Sequence, residues 1–193
     1  MSKKQMEVPS IELLEEELKK ERYRSNYTRV LRSTIFSLLV VAAVAVIVAV
    51  LLLPVLQITG TSMTETLNDG DIVVAVSGAK YQIGDVVAFY YNNTILIKRV
   101  IATAGDWIDI DQDGTVYVNG EMLDEPYVTE KALGDCNIAL PYQVPDGRWF
   151  LMGDHRATSI DSRNSAIGCI GDDMVVGKLL MRVWPLREIG LVH

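Results

Sequence analysis

Apolar and polar positions divide the chain into two textures. From Ile35 to Leu53, nineteen positions, only Ser37 is polar, and neither a charge nor a glycine interrupts the run. At about 1.5 Å per residue a helix of that length covers roughly 30 Å, the hydrocarbon thickness of a bilayer. Pro54 follows and predicts the stop. A cleaved secretory leader would have a shorter apolar region, nearer Met1, and a small-residue cleavage site; this chain runs on through Pro54-Val55-Leu56-Gln57. The segment reads as a retained transmembrane helix. Before it, Ser10 to Arg24 reads as a charged helix, with Ser10 as N-cap and Ile11, Leu14 and Leu18 forming a narrow stripe. That helix is either a solvated extension of the span or a docking element for a partner or the membrane surface.

Beyond Leu56 the texture changes to short apolar runs between turn residues. Ile72–Val76, Val86–Tyr90, Thr94–Ala102, Thr115–Val118, Trp149–Met152 and Met174–Trp184 read as strands. Asp113-Gly114 and Asn119-Gly120 are hairpin signals. No long helical period recurs. The expected fold is mostly β: a single N-terminal transmembrane helix followed by an antiparallel β-sheet domain. The parts are a tail at 1–34, the span and its exit at 35–56, and a domain at 57–193 with a small insertion at about 107–147. Residues Asp124 to Pro145 read as its loop-rich part.

Charge sets the orientation. Residues 1–34 carry eight Lys or Arg and six acidic residues, and after the span no Lys or Arg occurs before Lys80. The positive-inside rule places the N-terminus in the cytoplasm and the β domain outside it. The part after residue 34 has ten basic and nineteen acidic residues, which argues against a nucleic-acid partner. Two Cys and two His offer no metal-ligand spacing, so neither metal nor cofactor is expected. Asp109, Asp111, Asp113 and Gly114 imitate the opening of a calcium loop, but its twelfth position is Gly120 where a Glu is needed, so an acidic hairpin turn is the better reading. Cys136 and Cys169 are either a disulfide or two separate thiols.

Two positions carry candidate chemistry. Lys98 lies within Ile95-Leu96-Ile97-Lys98-Arg99-Val100-Ile101, apolar on both strand faces but for one cation each. Enclosed there, its amine loses hydration, its pKa falls, and it becomes a base for a hydroxyl. The alternative is a snorkelling lysine on an edge strand. Ser62 stands nine residues past Leu53, so its hydroxyl is expected near the outer membrane surface. Neither His155 nor His193 is placed to activate it.

Three ordered blocks resemble the type I signal peptidases, membrane-bound proteases that remove signal peptides. Ser62-Met63-Thr64-Glu65-Thr66-Leu67 resembles the family's Ser-Met-x-Pro-Thr-Leu, and Lys98 to Asp106 resembles the block that opens with the general base. Gly153-Asp154-His155-Arg156-Ala157-Thr158-Ser159-Ile160-Asp161-Ser162-Arg163 resembles Gly-Asp-Asn-Arg-x-x-Ser-x-Asp-Ser-Arg. With the preceding span, the match covers residues 35 to 185 and has the character of the small Gram-positive forms.

The resemblance implies a β-sheet catalytic domain of the signal-peptidase type, with Ser62 as nucleophile and Lys98 as base. Ser159 orients Lys98, the Ser62 N–H faces the oxyanion, Asp161 and Arg163 form a supporting ion pair, and Asp154 and Arg156 join that shell. Ile58, Met63, Leu67 and Ile97 line a shallow pocket for small side chains, and the substrate lies as a strand beside Ile95-Leu96-Ile97. The implied partners are signal peptides of exported preproteins cleaved after small-x-small motifs, membrane lipid and the secretion translocon. The implied location is the cell membrane, in a single pass. Three positions depart from the pattern: Glu65 stands for the usual proline, Gly60 for a hydroxyl that completes some members' oxyanion hole, and His155 for an asparagine. The competing readings are a peptidase dedicated to pilin-like substrates, a self-cleaving repressor, and an inactive membrane-tethered β domain that binds peptides or partners. The span, and the lack of a DNA-binding segment, count against the repressor.

Overall fold

The computed structural model describes residues 11–192. The expected N-cap Ser10 lies outside them. Helix α1 runs unbroken from Ile11 to Leu52. The charged and the apolar segments are thus one helix, because no glycine or proline stands between Ile11 and Leu53. Leu53 precedes Pro54, whose ring disfavours helical backbone at the residue before it, and the helix stops there. The apolar window of α1 is entirely unburied by the chain itself, and its length and composition are compatible with a membrane anchor.

From Val50 onward the chain forms a second compact unit. Its strands are β1 (Val55–Gln57), β2 (Ile72–Val76), β3 (Val86–Tyr91), β4 (Thr94–Ala102), β5 (Trp107–Ile110) and β6 (Val116–Val118). They continue with β7 (Glu121–Met122), β8 (Tyr142–Gln143), β9 (Arg148–Met152), β10 (Ile170–Gly171), β11 (Val175–Trp184) and β12 (Gly190–Leu191). The larger sheet has the order β1-β2-β11-β3-β4-β9-β10, with β12 also on β11, and the smaller has the order β7-β6-β5-β8. Every pairing is antiparallel.

The six long apolar runs are strands at or within a residue of their expected ends, with Met174 drawn into a 3₁₀ turn before β11. Asn119 and Gly120 both adopt positive φ, 54° and 83°, in the two-residue turn from β6 to β7. The Asp109-to-Gly114 stretch is a hairpin: β5 pairs with β6, and Asp111 caps the turn by accepting from Thr115 N at 2.8 Å. Residues 124–141 carry no strand, but the expected irregular stretch from Asp124 to Pro145 also holds β8, two residues held by pairing with β5. Cys136 and Cys169 are both free thiols, and Cys169 is buried beside Tyr142.

One core cluster, with Ile101, Ile108, Val116, Phe150 and Met152, draws on strands of both sheets and packs them together. A second joins Ile58, Met63 and Leu67, from the segment between β1 and β2, to Val73, Ala75 and Leu179 of the large sheet. This second cluster fixes the segment that carries Ser62.

Candidate active site

The β1–β2 connection, residues 58–71, is a closed loop. Ile58 N donates to Asp71 O at 2.8 Å, Gly70 N to Ile58 O at 3.0 Å, and Gly60 N to Asp69 Oδ1 at 2.8 Å. Asp71, buried, also accepts from Arg182 Nη1 of β11 at 2.9 Å. Within the loop, Thr64 N donates to Thr61 O and Leu67 N to Met63 O, two successive tight turns around Ser62 to Thr66. Gly60 sits at φ +92°. Its N–H is held by Asp69, so the glycine does not bring a free donor toward Ser62. The Ser62 N–H itself makes no hydrogen bond among the described residues.

Glu65 holds φ +80°, a left-handed backbone unusual for a side chain with a Cβ. Proline, locked near −65°, cannot adopt it. The residue that departs from the family pattern is therefore matched to a loop conformation that the pattern residue would not permit.

Lys98 is in the middle of β4. The strand goes from exposed to fully buried along its length, and Lys98 is the first of its five buried residues. The residue is 3% exposed. Its Nζ lies 2.6 Å from Ser62 Oγ, within hydrogen-bond reach. Burial pulls its pKa from 10.5 down to about 8, against the opposing pull of Asp161 and Asp154 and with a smaller downward push from Arg163. The snorkelling alternative requires an amine in water, and this one is enclosed.

The 153–163 segment crosses behind the pair. His155 N donates to Ser62 O at 3.1 Å. A Cβ on Gly153 would come 2.2 Å from Ser159 Oγ and 2.5 Å from Ser62 O, so only glycine fits that crossing. Asp161 and Arg163 form a buried bidentate pair at 2.9 and 2.8 Å, and Asp161 also accepts from Gly153 N at 3.0 Å. Arg163 continues to the carbonyls of Arg156 and Leu133, at 3.0 and 2.7 Å.

One expected contact is not formed. Among the described residues Ser159 Oγ is buried without a hydrogen-bond partner, while Lys98 Nζ is engaged with Ser62. Asp154 and Arg156 are not paired with each other. Asp154 takes Arg99, Nε to Oδ1 at 2.9 Å and Nη2 to Oδ2 at 2.7 Å, and Arg156 takes Glu125 in a bidentate pair. Arg99 read along the sequence only as a second cation on an apolar strand, Thr66 only as a position of the matched Ser62–Leu67 block, and Glu125 carried no signal. The adjacency Lys98-Arg99 was the available hint, since two buried cations need two sets of partners.

A groove of about 450 Å³ opens beside Ser62 and Lys98, lined by Val55 to Gly60, Ser62, Met63 and Thr94 to Lys98. Of the four residues expected at a substrate pocket, Ile58, Met63 and Ile97 are among its lining residues. Leu67 is not: it is buried in the core cluster it shares with Ile58 and Met63. Among the described residues both walls have free strand edges. Thr94–Lys98 of β4 pairs with β3 on one side, and β9 begins only at Arg99 on the other. β1 pairs with β2 alone.

Comparison with known proteins identifies the family. Residues 31–184 match the family model described as signal peptidase, peptidase S26. Signal peptidase IB of Staphylococcus aureus is 36% identical over 175 residues, covering 80% of this chain and 90% of its own. Signal peptidase I of Bacillus licheniformis is 31% identical over 169 residues, covering 79% and 88%. A crystal structure of a signal peptidase I from Enterococcus faecalis V583 aligns at 29% identity and a TM-score of 0.44, over 52% of this chain and 97% of that one. On the family match over residues 31–184 and these relatives' identities, the chain belongs to the signal peptidase family, peptidase S26.

Proposed function

We propose that this chain removes signal peptides from exported preproteins with Ser62 as nucleophile and Lys98 as general base. The observation that carries the reading is a buried amine, its pKa lowered to about 8, 2.6 Å from a serine hydroxyl in an open groove. The neutral amine takes the hydroxyl proton as Oγ bonds to the scissile carbonyl carbon. The negative charge on the carbonyl oxygen meets the unpaired Ser62 N–H. The protonated amine then gives its proton to the leaving amine, which departs and leaves an acyl ester on Ser62. Water, deprotonated by the same lysine, breaks that ester and frees the serine. Ser159 Oγ, buried and unpartnered, is the acceptor for the ammonium formed midway.

A substrate strand between β1 and β4 would satisfy two free edges at once. Ile58, Met63 and Ile97 leave a shallow apolar site beside Ser62, suited to small side chains before the cleaved bond.

Ile35–Leu53 crosses the membrane, with residues 1–34 in the cytoplasm and the β domain outside, as the arginines at 22, 24, 29 and 32 favour. Lipid contact extends to the domain. Val55, Val74, Met181 and Leu191 are directly opposed across β1, β2, β11 and β12, and so share a sheet face. Val55 is 63% and Leu191 62% exposed, and Trp184, 50% exposed, extends the face opposite Ile72. A water-facing sheet surface is normally polar. This one begins three residues after α1 ends, which favours lipid as its occupant.

The test uses full-length chain in detergent with a preprotein. Ser62→Ala and Lys98→Ala are each expected to abolish cleavage while leaving the fold intact. Retained cleavage in either excludes the dyad, and a folded wild-type chain with no cleavage returns the peptide-binding alternative.

A further inference from the structure

A second set of polar groups, one buried and one half-buried, lies beyond the dyad, in the loop that follows β7. Glu125 and Tyr127 belong to it, and neither is accounted for by the dyad chemistry. Glu125 is buried, with both oxygens on Arg156. The Tyr127 hydroxyl donates to Glu125 Oε1 at 3.2 Å. The Tyr127 ring lies 3.9 Å from the Arg99 guanidinium carbon, a cation–π contact.

Followed outward, these contacts close a ring. Arg99 is bidentate on Asp154, and Asp154 Oδ2 accepts from Thr66 Oγ1 at 2.5 Å, which ties in the loop of Ser62. Arg156 Nε donates to Gly153 O at 3.1 Å. Gly153 abuts Ser62 O, and His155 N donates to that same carbonyl. The circuit leaves the nucleophile loop at Thr66, passes through Asp154, Arg99, Tyr127, Glu125 and Arg156, and returns at Ser62. Burial and the Glu125 charge push the Tyr127 phenol well above its usual 10.0, so it remains a donor.

Such a network is a poor way to gain stability. Two arginines and two carboxylates are taken out of water, and buried pairs of this kind are often no better than apolar side chains of the same volume. What directional groups supply is fixed geometry. We propose that Glu125 and Tyr127 are positioning residues, which hold Arg99 and Arg156, and through them the 153–155 segment, at the distance from the nucleophile loop that the reaction needs. This rests on the reading of Ser62 and Lys98 as the dyad.

The test compares wild type with Tyr127→Phe, Tyr127→Leu and Glu125→Gln, full-length in detergent, measuring kcat, KM, the pH midpoint and the melting temperature. Tyr127→Leu removes the ring that holds Arg99. Asp154 is then less neutralised. Lys98 is faced by Asp154, Asp161 and Arg163, so a freer Asp154 charge favours its protonated form. The expected result is a kcat at least tenfold lower, KM within about threefold, and a midpoint moved toward alkali. Tyr127→Phe keeps the ring and is expected to keep the midpoint. Glu125→Gln is expected to lower kcat. A Tyr127→Leu chain with wild-type kcat and midpoint, whatever its melting temperature, overturns the proposal. If it does not fold, Tyr127→Phe and Glu125→Gln both at wild-type kcat overturn it equally. Ser62→Ala, run in parallel, separates the two readings: cleavage retained there overturns the dyad itself.

Discussion

In the proposed mechanism the chemistry turns on Lys98, and the burial of that residue has a cost as well as a use. In the unfolded chain its amine binds a proton with the ordinary pKa of 10.5, and in the folded chain with one of about 8. Between those values the unfolded state holds more protons, so this group's contribution to stability improves as pH rises from about 8 to 10.5. Below about 8 it is a constant penalty, on the order of 3 kcal/mol. Lys98→Met is therefore expected to raise the melting temperature at pH 7, with the gain shrinking through that window. A gain independent of pH would contradict the lowered pKa. The same shift governs activity: kcat/KM should rise about tenfold per unit below pH 8 and level off above it. Gly153 carries the opposite demand. Gly153→Ala forces a methyl into Ser159 Oγ and Ser62 O, and should cost about 1–3 kcal/mol and most of the activity, read by chemical denaturation and by turnover.

At the scale of the element, the loop from Ile58 to Asp71 and the strand β4 set the site. Glu65 at φ +80° makes the loop's departure from the family pattern testable. Glu65→Gly should be neutral or stabilising by up to about 1 kcal/mol, whereas Glu65→Pro should destabilise by more than about 1 kcal/mol, although proline is the residue the pattern expects. Denaturation midpoints of the two variants decide it. Strand β4 was legible in the sequence to its last residue, because seven of its nine positions are apolar or β-branched and they lie between an Asn-Asn turn and a glycine turn. The strands β7, β8, β10 and β12 were not. They have two residues each, too few to show alternation, and are held by their partners. The same limit hid Glu125 and Tyr127. They lie in an irregular stretch whose composition reads as loop, and their burial is created only when Arg99 and Arg156 arrive from elsewhere. Ser62, Lys98 and the 153–163 block were legible because three ordered motifs identify them. The pairing of Asp154 with Arg99 was not, since nothing in the spacing says which carboxylate meets which cation.

For the whole molecule, the unbroken helix from Ile11 to Leu52 and the apolar outer face of the large sheet pose the same question of what covers them. The chain has three tryptophans, and Trp184 lies on that face. With Trp107→Phe and Trp149→Phe, Trp184 becomes the only emitter. Reconstituted in bilayers whose acyl chains carry bromine, its fluorescence should be strongly quenched. Emission equal to that in unbrominated lipid would place the face in water.

The central claim, that an uncharged Lys98 amine activates Ser62, is tested most directly by titrating that amine. In a Ser62→Ala chain with ¹³C-labelled lysines, and Lys98→Arg to assign the resonance, the Cε shift reports protonation without turnover. The account predicts a midpoint near 8, and a midpoint at the ordinary 10.5 would contradict it.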